Sequence, residues 1–241
     1  MLRWRPSKGR CSKGFTGEMK SLRNIDALLS ELCRGAAHFS VAPVNASSRE
    51  ALLREARERL TTEELGTLEN IRSRKRGAEF LAGRIAAKRV LGSSPFDVPG
   101  NPSVRRTETG APDIAGHPDI RISISHSGPY AVAVAAESGV GVDLERDEAR
   151  PDCLIEHFYS DAEKRALSKL SGLARTRLAN QLWCRKEAAS KVVGLGGALP
   201  FSEIDCSQDE TTIRGRRIAL RSDVQGGYVA AIAYEIGGAN G

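Results

Sequence analysis

Two segments of this chain rhyme, and the rhyme limits the fold more than any other feature. Residues 130–137 read Tyr-Ala-Val-Ala-Val-Ala-Ala-Glu, and residues 228–235 read Tyr-Val-Ala-Ala-Ile-Ala-Tyr-Glu. Each is a small-residue apolar run of strand length, closed by the same two residues. Upstream of each lies an alanine-bearing helical stretch: Ala86-Ala87-Lys88 before Gly92, and Ala188-Ala189-Ser190-Lys191 before Gly194. A duplication predicts an α+β fold of two similar halves, with a ligand cleft between them.

The remaining pattern fills in those halves. Residues 1–48 are mixed and turn-rich, with one apolar run at Phe39–Val44, and read as a partly flexible N-terminal extension. Residues 49–145 form the N-terminal α+β half, and residues 146–241 the C-terminal one. Thr61 followed by Glu64 is a capping box, opening a long helix that runs to Gly92. Residues 93–118, rich in Pro, Gly and Asp, read as a loop. Arg121–Ser125, Tyr130–Ala136 and Val140–Glu145 read as strands. Helices follow, from Ser160 as N-cap to about Leu170 and from Leu178 to Val193, before strands at about Ile213–Leu220 and Tyr228–Ile236.

Composition excludes several classes. No segment approaches the run of about 18 apolar residues that a membrane span needs. The basic start, Met1–Lys20, lacks the apolar region of a secretory signal, so a cytoplasmic setting is expected. Five cysteines are scattered without a Cys-x-x-Cys pair, which supports neither a disulfide framework nor a zinc site. The net charge of +6 admits nucleic acid, an anionic membrane or an acidic or phosphorylated substrate as partner, and cannot choose among them. A basic nucleic-acid-binding module using Arg72–Arg89 is the alternative function.

Three constellations carry chemistry. In Gly141-Val142-Asp143-Leu144-Glu145 the carboxylates at i and i+2 of a strand share a face, about 7 Å apart at Cα. Like charges among apolar neighbours call for a cation between them, and Mg²⁺ is suited to one or two carboxylates plus phosphate oxygens. An exposed strand end would carry acids equally well. In Trp183-Cys-Arg-Lys186-Glu187-Ala-Ala-Ser-Lys191, helical spacing stacks Trp183, Glu187 and Lys191. An ordinary Glu–Lys pair is the first reading there, and a metal ligand with a phosphate contact the second. Ser123-Ile-Ser125-His126-Ser127-Gly128 is a turn with hydroxyls and a histidine able to meet phosphate. Gly194-Leu-Gly-Gly197 follows a helix rather than preceding one, so it is no P-loop.

The ordered set resembles the Sfp-type 4'-phosphopantetheinyl transferase family. It comprises Phe80-Leu-Ala-Gly-Arg84, Gly110-Ala-Pro112, Ile124-Ser-His126-Ser127, Gly141-Val-Asp143-Leu-Glu145, Phe158-Tyr-Ser-Asp-Ala-Glu163, Trp183 to Lys191, and Leu199-Pro200, spanning about Leu60 to Glu235. The resemblance implies two α+β subdomains related by a pseudo-twofold axis, acting as a monomeric pseudo-dimer. It implies Mg²⁺ on Asp143, Glu145 and Glu187, and coenzyme A as co-substrate. Glu187 and Lys191 would be catalytic, and the phosphates would meet Arg76, Arg84, Ser125, His126, Lys186 and Lys191. Arg76 and Arg84 would serve the 3'-phosphate end. The partner would be an apo acyl or peptidyl carrier protein, with neither nucleic acid nor membrane. The Gly-x-Pro element holds Ala111 where many relatives have Lys or Arg, so the adenine end needs another contact.

Overall fold

The computed structural model describes residues 13–44, 49–93, 95–195 and 199–237. The start of the basic N-terminal stretch, Cys11 and part of the Gly194–Gly197 run lie outside the described residues. The fold is α+β, with helices α1 (Lys13–Leu32), α2 (Arg49–Arg59), α3 (Thr62–Glu69), α4 (Arg74–Leu91), α5 (Asp152–Phe158), α6 (Asp161–Ser168) and α7 (Gly172–Val192). The strands are β1 (His38–Pro43), β2 (Val104–Arg106), β3 (Pro112–Ile114), β4 (Arg121–Ser127), β5 (Tyr130–Ala136), β6 (Val140–Arg146), β7 (Glu210–Ile213), β8 (Arg216–Gln225) and β9 (Tyr228–Glu235).

The rhyming segments are β5 and β9, and each is the middle of an antiparallel sheet. The first sheet runs β1-β5-β4, and the second β6-β9-β8-β7. Each unit is thus a strand, a long helix and a hairpin, with the first strand returning beside the last. The faces correspond too. Ala131, Ala133 and Ala135 of β5 meet α4, while Val229, Ala231 and Ala233 of β9 meet α7. The opposite faces, Tyr130, Val132 and Val134 with Tyr228, Ala230 and Ile232, join one shared core that α1 helps to close. Being buried on both faces explains why these strands read as continuous apolar runs rather than alternating ones. Tyr130 and Tyr228, equivalent in the rhyme, touch edge-to-face with ring centroids 5.5 Å apart, as residues beside a pseudo-twofold axis do.

The halves share a second device. Glu64 closes the capping box on Thr61, and Glu163 closes one on Ser160. Each glutamate also takes a buried lysine from its long helix: Lys88 Nζ lies 3.0 Å from Glu64, and Lys186 Nζ 2.9 Å from Glu163. Each accepts a backbone N–H from the following segment, Val104 at 3.0 Å and Cys206 at 2.8 Å. These clamps set the true register of the repeat, with Lys88 equivalent to Lys186. The helical rhyme drawn from alanines is therefore one turn out of register, because small residues at helical spacing match at several offsets.

Several expected boundaries shift. Residues 13–44 are not an appendage: Ile25, Leu28, Leu29 and Leu32 of α1 are core residues, and β1 is the edge of the first sheet. Likewise β6 pairs with β9, so a division after Glu145 separates a strand from its own sheet. We take the units to begin at β1 and β6. The long helix expected from Thr61 to Gly92 is two helices, because Asn70 caps α3 and Ser73 starts α4 by accepting the Arg76 N–H. The 93–118 loop contains the β2–β3 hairpin, whose turn uses Gly110 at φ +84°. Helix α5 escaped the sequence reading, and α7 begins earlier than expected.

Candidate active site

The site is built where the two halves meet, on β4, β6 and α7. Strands β4 and β6 lie side by side, but serine hydroxyls stitch them together. Ser123 Oγ accepts the Val142 N–H at 3.1 Å, and Ser125 Oγ accepts that of Leu144 at 3.3 Å. Helix α7 crosses β6 at Gly141, where an added Cβ would collide with the Ala188 carbonyl oxygen. This close approach sets the carboxylates of β6 against that of Glu187 on α7. Gly141→Ala is expected to cost about 2–3 kcal/mol, as overpacking does, read from urea unfolding, and to lower activity by forcing β6 from α7.

Asp143 is buried and its two oxygens differ. Oδ1 accepts from Ser125 Oγ at 2.9 Å and from Lys191 Nζ at 2.9 Å. Oδ2 is buried without a hydrogen-bond partner. Lys191 also donates to the Val142 carbonyl at 2.8 Å. Glu145 and Glu187 complete the acid set, and both carboxyls are held above the ordinary range. Burial is the main cause in each case, followed by the negative charge of Asp143, with Lys191 and Arg150 acting in the opposite direction.

Among the described residues, no three His, Cys, Asp or Glu side chains are gathered tightly enough to enclose a metal ion. The donor set nonetheless fits a hard divalent cation. It is all oxygen, it has one bare buried oxygen, and its members repel one another electrostatically.

The raised Glu187 carboxyl implies a test of sign. A carboxyl whose folded pKa lies above its unfolded value costs stability when ionised, so stability falls as pH rises through that value. In chelator near neutral pH, Glu187→Gln should therefore gain about 0.5–1 kcal/mol, discounted for its partly solvated position. Thermal melting should show the gain fading toward pH 4.5, the ordinary glutamate value.

The other expected site residues divide. Lys186 is buried in the clamp, donating to the Phe201 carbonyl at 2.6 Å and to that of Ile204, besides its ion pair with Glu163. Its three donors are used, so it is no phosphate contact. Arg84 is buried as well, beside Glu64 at 3.8 Å and over the Phe80 ring at 4.6 Å, and burial lowers its pKa to about 10. Ser125 spends its hydroxyl on Asp143 and Leu144 rather than facing a ligand. His126 is half-exposed on the opposite face of β4, with Nδ1 3.9 Å from Glu79 of α4. Arg76 is exposed in the first turn of that helix. Arg89 pairs with Glu55 at 2.6 Å, and Lys88 is internal, so Arg72–Arg89 is not one continuous basic face.

Arg150 was missed by sequence reading. Its guanidinium lies 4.8 Å over the Trp183 ring, its Nε is buried without a partner, and its charge acts on Glu145 and Glu187. It stands in the β6–α5 loop, which Asn180 fastens to α7 through Asp147 Oδ1 at 3.0 Å and the Glu148 carbonyl at 2.9 Å. No local motif marks an arginine in such a loop. A cavity of about 830 Å³ adjoins the site, lined by Lys191 and Ser123, by Gly110-Ala111-Pro112, and by Arg121 and Arg216.

Pairing shows why the acids occur once. Asp143 and Glu145 sit opposite Ala231 and Val229 of β9. The equivalent places on β1, opposite Ala133 and Ala131 of β5, hold Ser40 and Ala42. Glu187 corresponds to Arg89. One half of a duplicated fold carries the acids, and the other supplies the serines that brace them.

A duplicated α+β fold with an acid cluster at the joint defines the class, and the comparisons define the family. Residues 139–233 match the 4'-phosphopantetheinyl transferase superfamily, and residues 69–136 match the 4'-phosphopantetheinyl transferase N-terminal domain. The chain belongs to the Sfp-type 4'-phosphopantetheinyl transferase family. It is 30% identical over 118 residues to a 4'-phosphopantetheinyl transferase of Bacillus subtilis, covering 49% of this chain and 51% of that one. It is 28% identical over 142 residues to a putative one of Synechocystis, covering 57% and 58%. The chain thus spans about half the length of the curated relatives it matches. A solved holo-(acyl-carrier-protein) synthase from Bacillus anthracis, in complex with CoA, aligns at TM-score 0.37 and 22% identity, over 41% of this chain and 95% of that one. Among the described residues no helix is long and apolar enough to cross a membrane, and Cys33, Cys153, Cys184 and Cys206 are free thiols.

Proposed function

We propose that this protein transfers the 4'-phosphopantetheine arm of coenzyme A to a serine hydroxyl of an apo acyl or peptidyl carrier protein. The observation that carries the reading is the bare, buried Oδ2 of Asp143 among Glu145 and Glu187, beside Lys191 and a cavity large enough for a nucleotide-bearing substrate. Asp143, Glu145 and Glu187 would hold Mg²⁺. When bound, the ion supplies charge neutralisation for a pyrophosphate.

The chain's own residues do the rest. Lys191, anchored on Val142 O and Asp143 Oδ1, places a positive charge at the phosphate under attack. The serine Oγ forms a bond to the β-phosphorus as the bond to the bridging oxygen breaks, and adenosine 3',5'-bisphosphate leaves. The Oγ proton passes to a Glu187 carboxylate oxygen, which stands next to the site as the acceptor. Phosphoryl transfer of this kind depends on positioning and charge more than on a strong base. Arg76 and His126 remain available to coenzyme A on the first half, whereas Arg84 and Lys186 are withdrawn into ion pairs. Gly110, Ala111 and Pro112 line the cavity at the expected adenine end. A cytoplasmic setting suits the free thiols, and the net charge of +6 suits an acidic carrier.

Incubation with coenzyme A, Mg²⁺ and a panel of apo carriers, followed by intact mass, tests the proposal. A phosphopantetheine gain on serine is expected, and no gain on any carrier would sink it.

A further inference from the structure

The hydroxyl of Ser125 has one proton and, in this structure, a committed place for it. Its Oγ donates to Asp143 Oδ1 at 2.9 Å while accepting the Leu144 N–H at 3.3 Å. The Leu144 N–H orients the lone pairs, so the O–H points at the carboxylate. Lys191 Nζ meets the same Oδ1 at 2.9 Å and is itself tied to the Val142 carbonyl at 2.8 Å. Two donors from different elements, β4 and α7, thus pin one oxygen of Asp143 and leave the other bare. Ser123, two residues earlier, binds the Val142 N–H in the same manner, which locks β4 against β6 in register.

We propose that Ser125 is a positioning residue of the metal site: it fixes the Asp143 carboxylate so that Oδ2 faces the cation, and it is not a phosphate ligand. This rests on the reading of Asp143 as a metal ligand given above. Hydrogen bonds to a ligating carboxylate fix its rotamer, and removing such a partner commonly lowers metal affinity 10- to 100-fold. A serine that bound the phosphates directly would instead lower coenzyme A affinity and leave the metal unaffected.

The two roles separate when each ligand is measured without the other. Mn²⁺ binding to the free protein is followed by electron paramagnetic resonance, and coenzyme A binding in chelator by calorimetry. For Ser125→Ala the expected result is Mn²⁺ affinity lower by about tenfold or more, with coenzyme A affinity in chelator within about twofold of wild type. Ser125→Thr, which keeps the hydroxyl, is expected to recover most of the Mn²⁺ affinity, with melting curves confirming that both variants are folded. Unchanged Mn²⁺ affinity in Ser125→Ala overturns the proposal, and so does loss of coenzyme A affinity in chelator. The outcome is distinguishable from failure of the transferase reading. A wild-type protein that binds Mn²⁺ but modifies no carrier sinks that reading alone, whereas one that binds Mn²⁺ no better than Ser125→Ala sinks this one.

Discussion

Asp143→Asn should reduce phosphopantetheine transfer by about a thousandfold or more, corresponding to about 4 kcal/mol of lost charge stabilisation. The substitution keeps the size of the side chain and its Oδ1 acceptor for Ser125 and Lys191, so the seam between β4 and β6 stays closed. What it removes is the charge behind the bare Oδ2. The fold should therefore survive, because relief of like-charge repulsion on Glu145 and Glu187 offsets part of the lost ion pair with Lys191. Rate by intact mass, Mn²⁺ affinity and a melting curve measured on one sample decide the matter. Transfer within tenfold of wild type would remove Asp143 from the site.

The largest stability effect is expected far from that chemistry, at the second clamp. Glu163→Ala strips the counterion from a lysine that is buried completely, and it also unpairs the Ser160 and Cys206 N–H groups. Breaking a buried pair by removing one partner costs about 3–5 kcal/mol, because an uncompensated charge is left inside. For a chain of this size that lowers Tm by roughly 10 °C or more. Adding Lys186→Met should restore part of the loss, since the methionine fills the channel without a charge to satisfy. A Tm shift below about 2 °C for Glu163→Ala would show that Lys186 finds another partner. Glu64→Ala is expected to behave alike through Lys88, because the two clamps are the same device built twice.

The particular residues show what could be read in advance. Strand alternation places Asp143 and Glu145 on one face, and in the structure burial first and the Asp143 charge second raise the Glu145 pKa. The Thr61–Glu64 capping box is legible in the sequence, and so is Ser160 as an N-cap. Lys186 neighbours Glu187 in the chain, yet the structure gives the two different surroundings. On a helix, consecutive residues point about 100° apart, and that turn takes Lys186 into the interior while Glu187 stays at the cleft. Arg84 is a related case: its burial depends on Glu64 and Phe80, and only packing brings Glu64 there. Helix α1 was missed because its apolar residues are diluted among polar ones, and the core it fills belongs to strands from both units.

The chain's local chemistry by itself determined the strand and cap signals, the duplication and the ordered set of acids, because each depends on neighbours within a few residues or on repetition. The tertiary structure decided the register of the duplication, which lysines are interior and which oxygen of Asp143 is bare. Those follow from contacts between residues about 20 to 100 positions apart, such as Ser125 with Asp143 and Lys186 with Glu163. The free energy of a buried charge depends on everything packed around it, and no stretch of sequence contains that information.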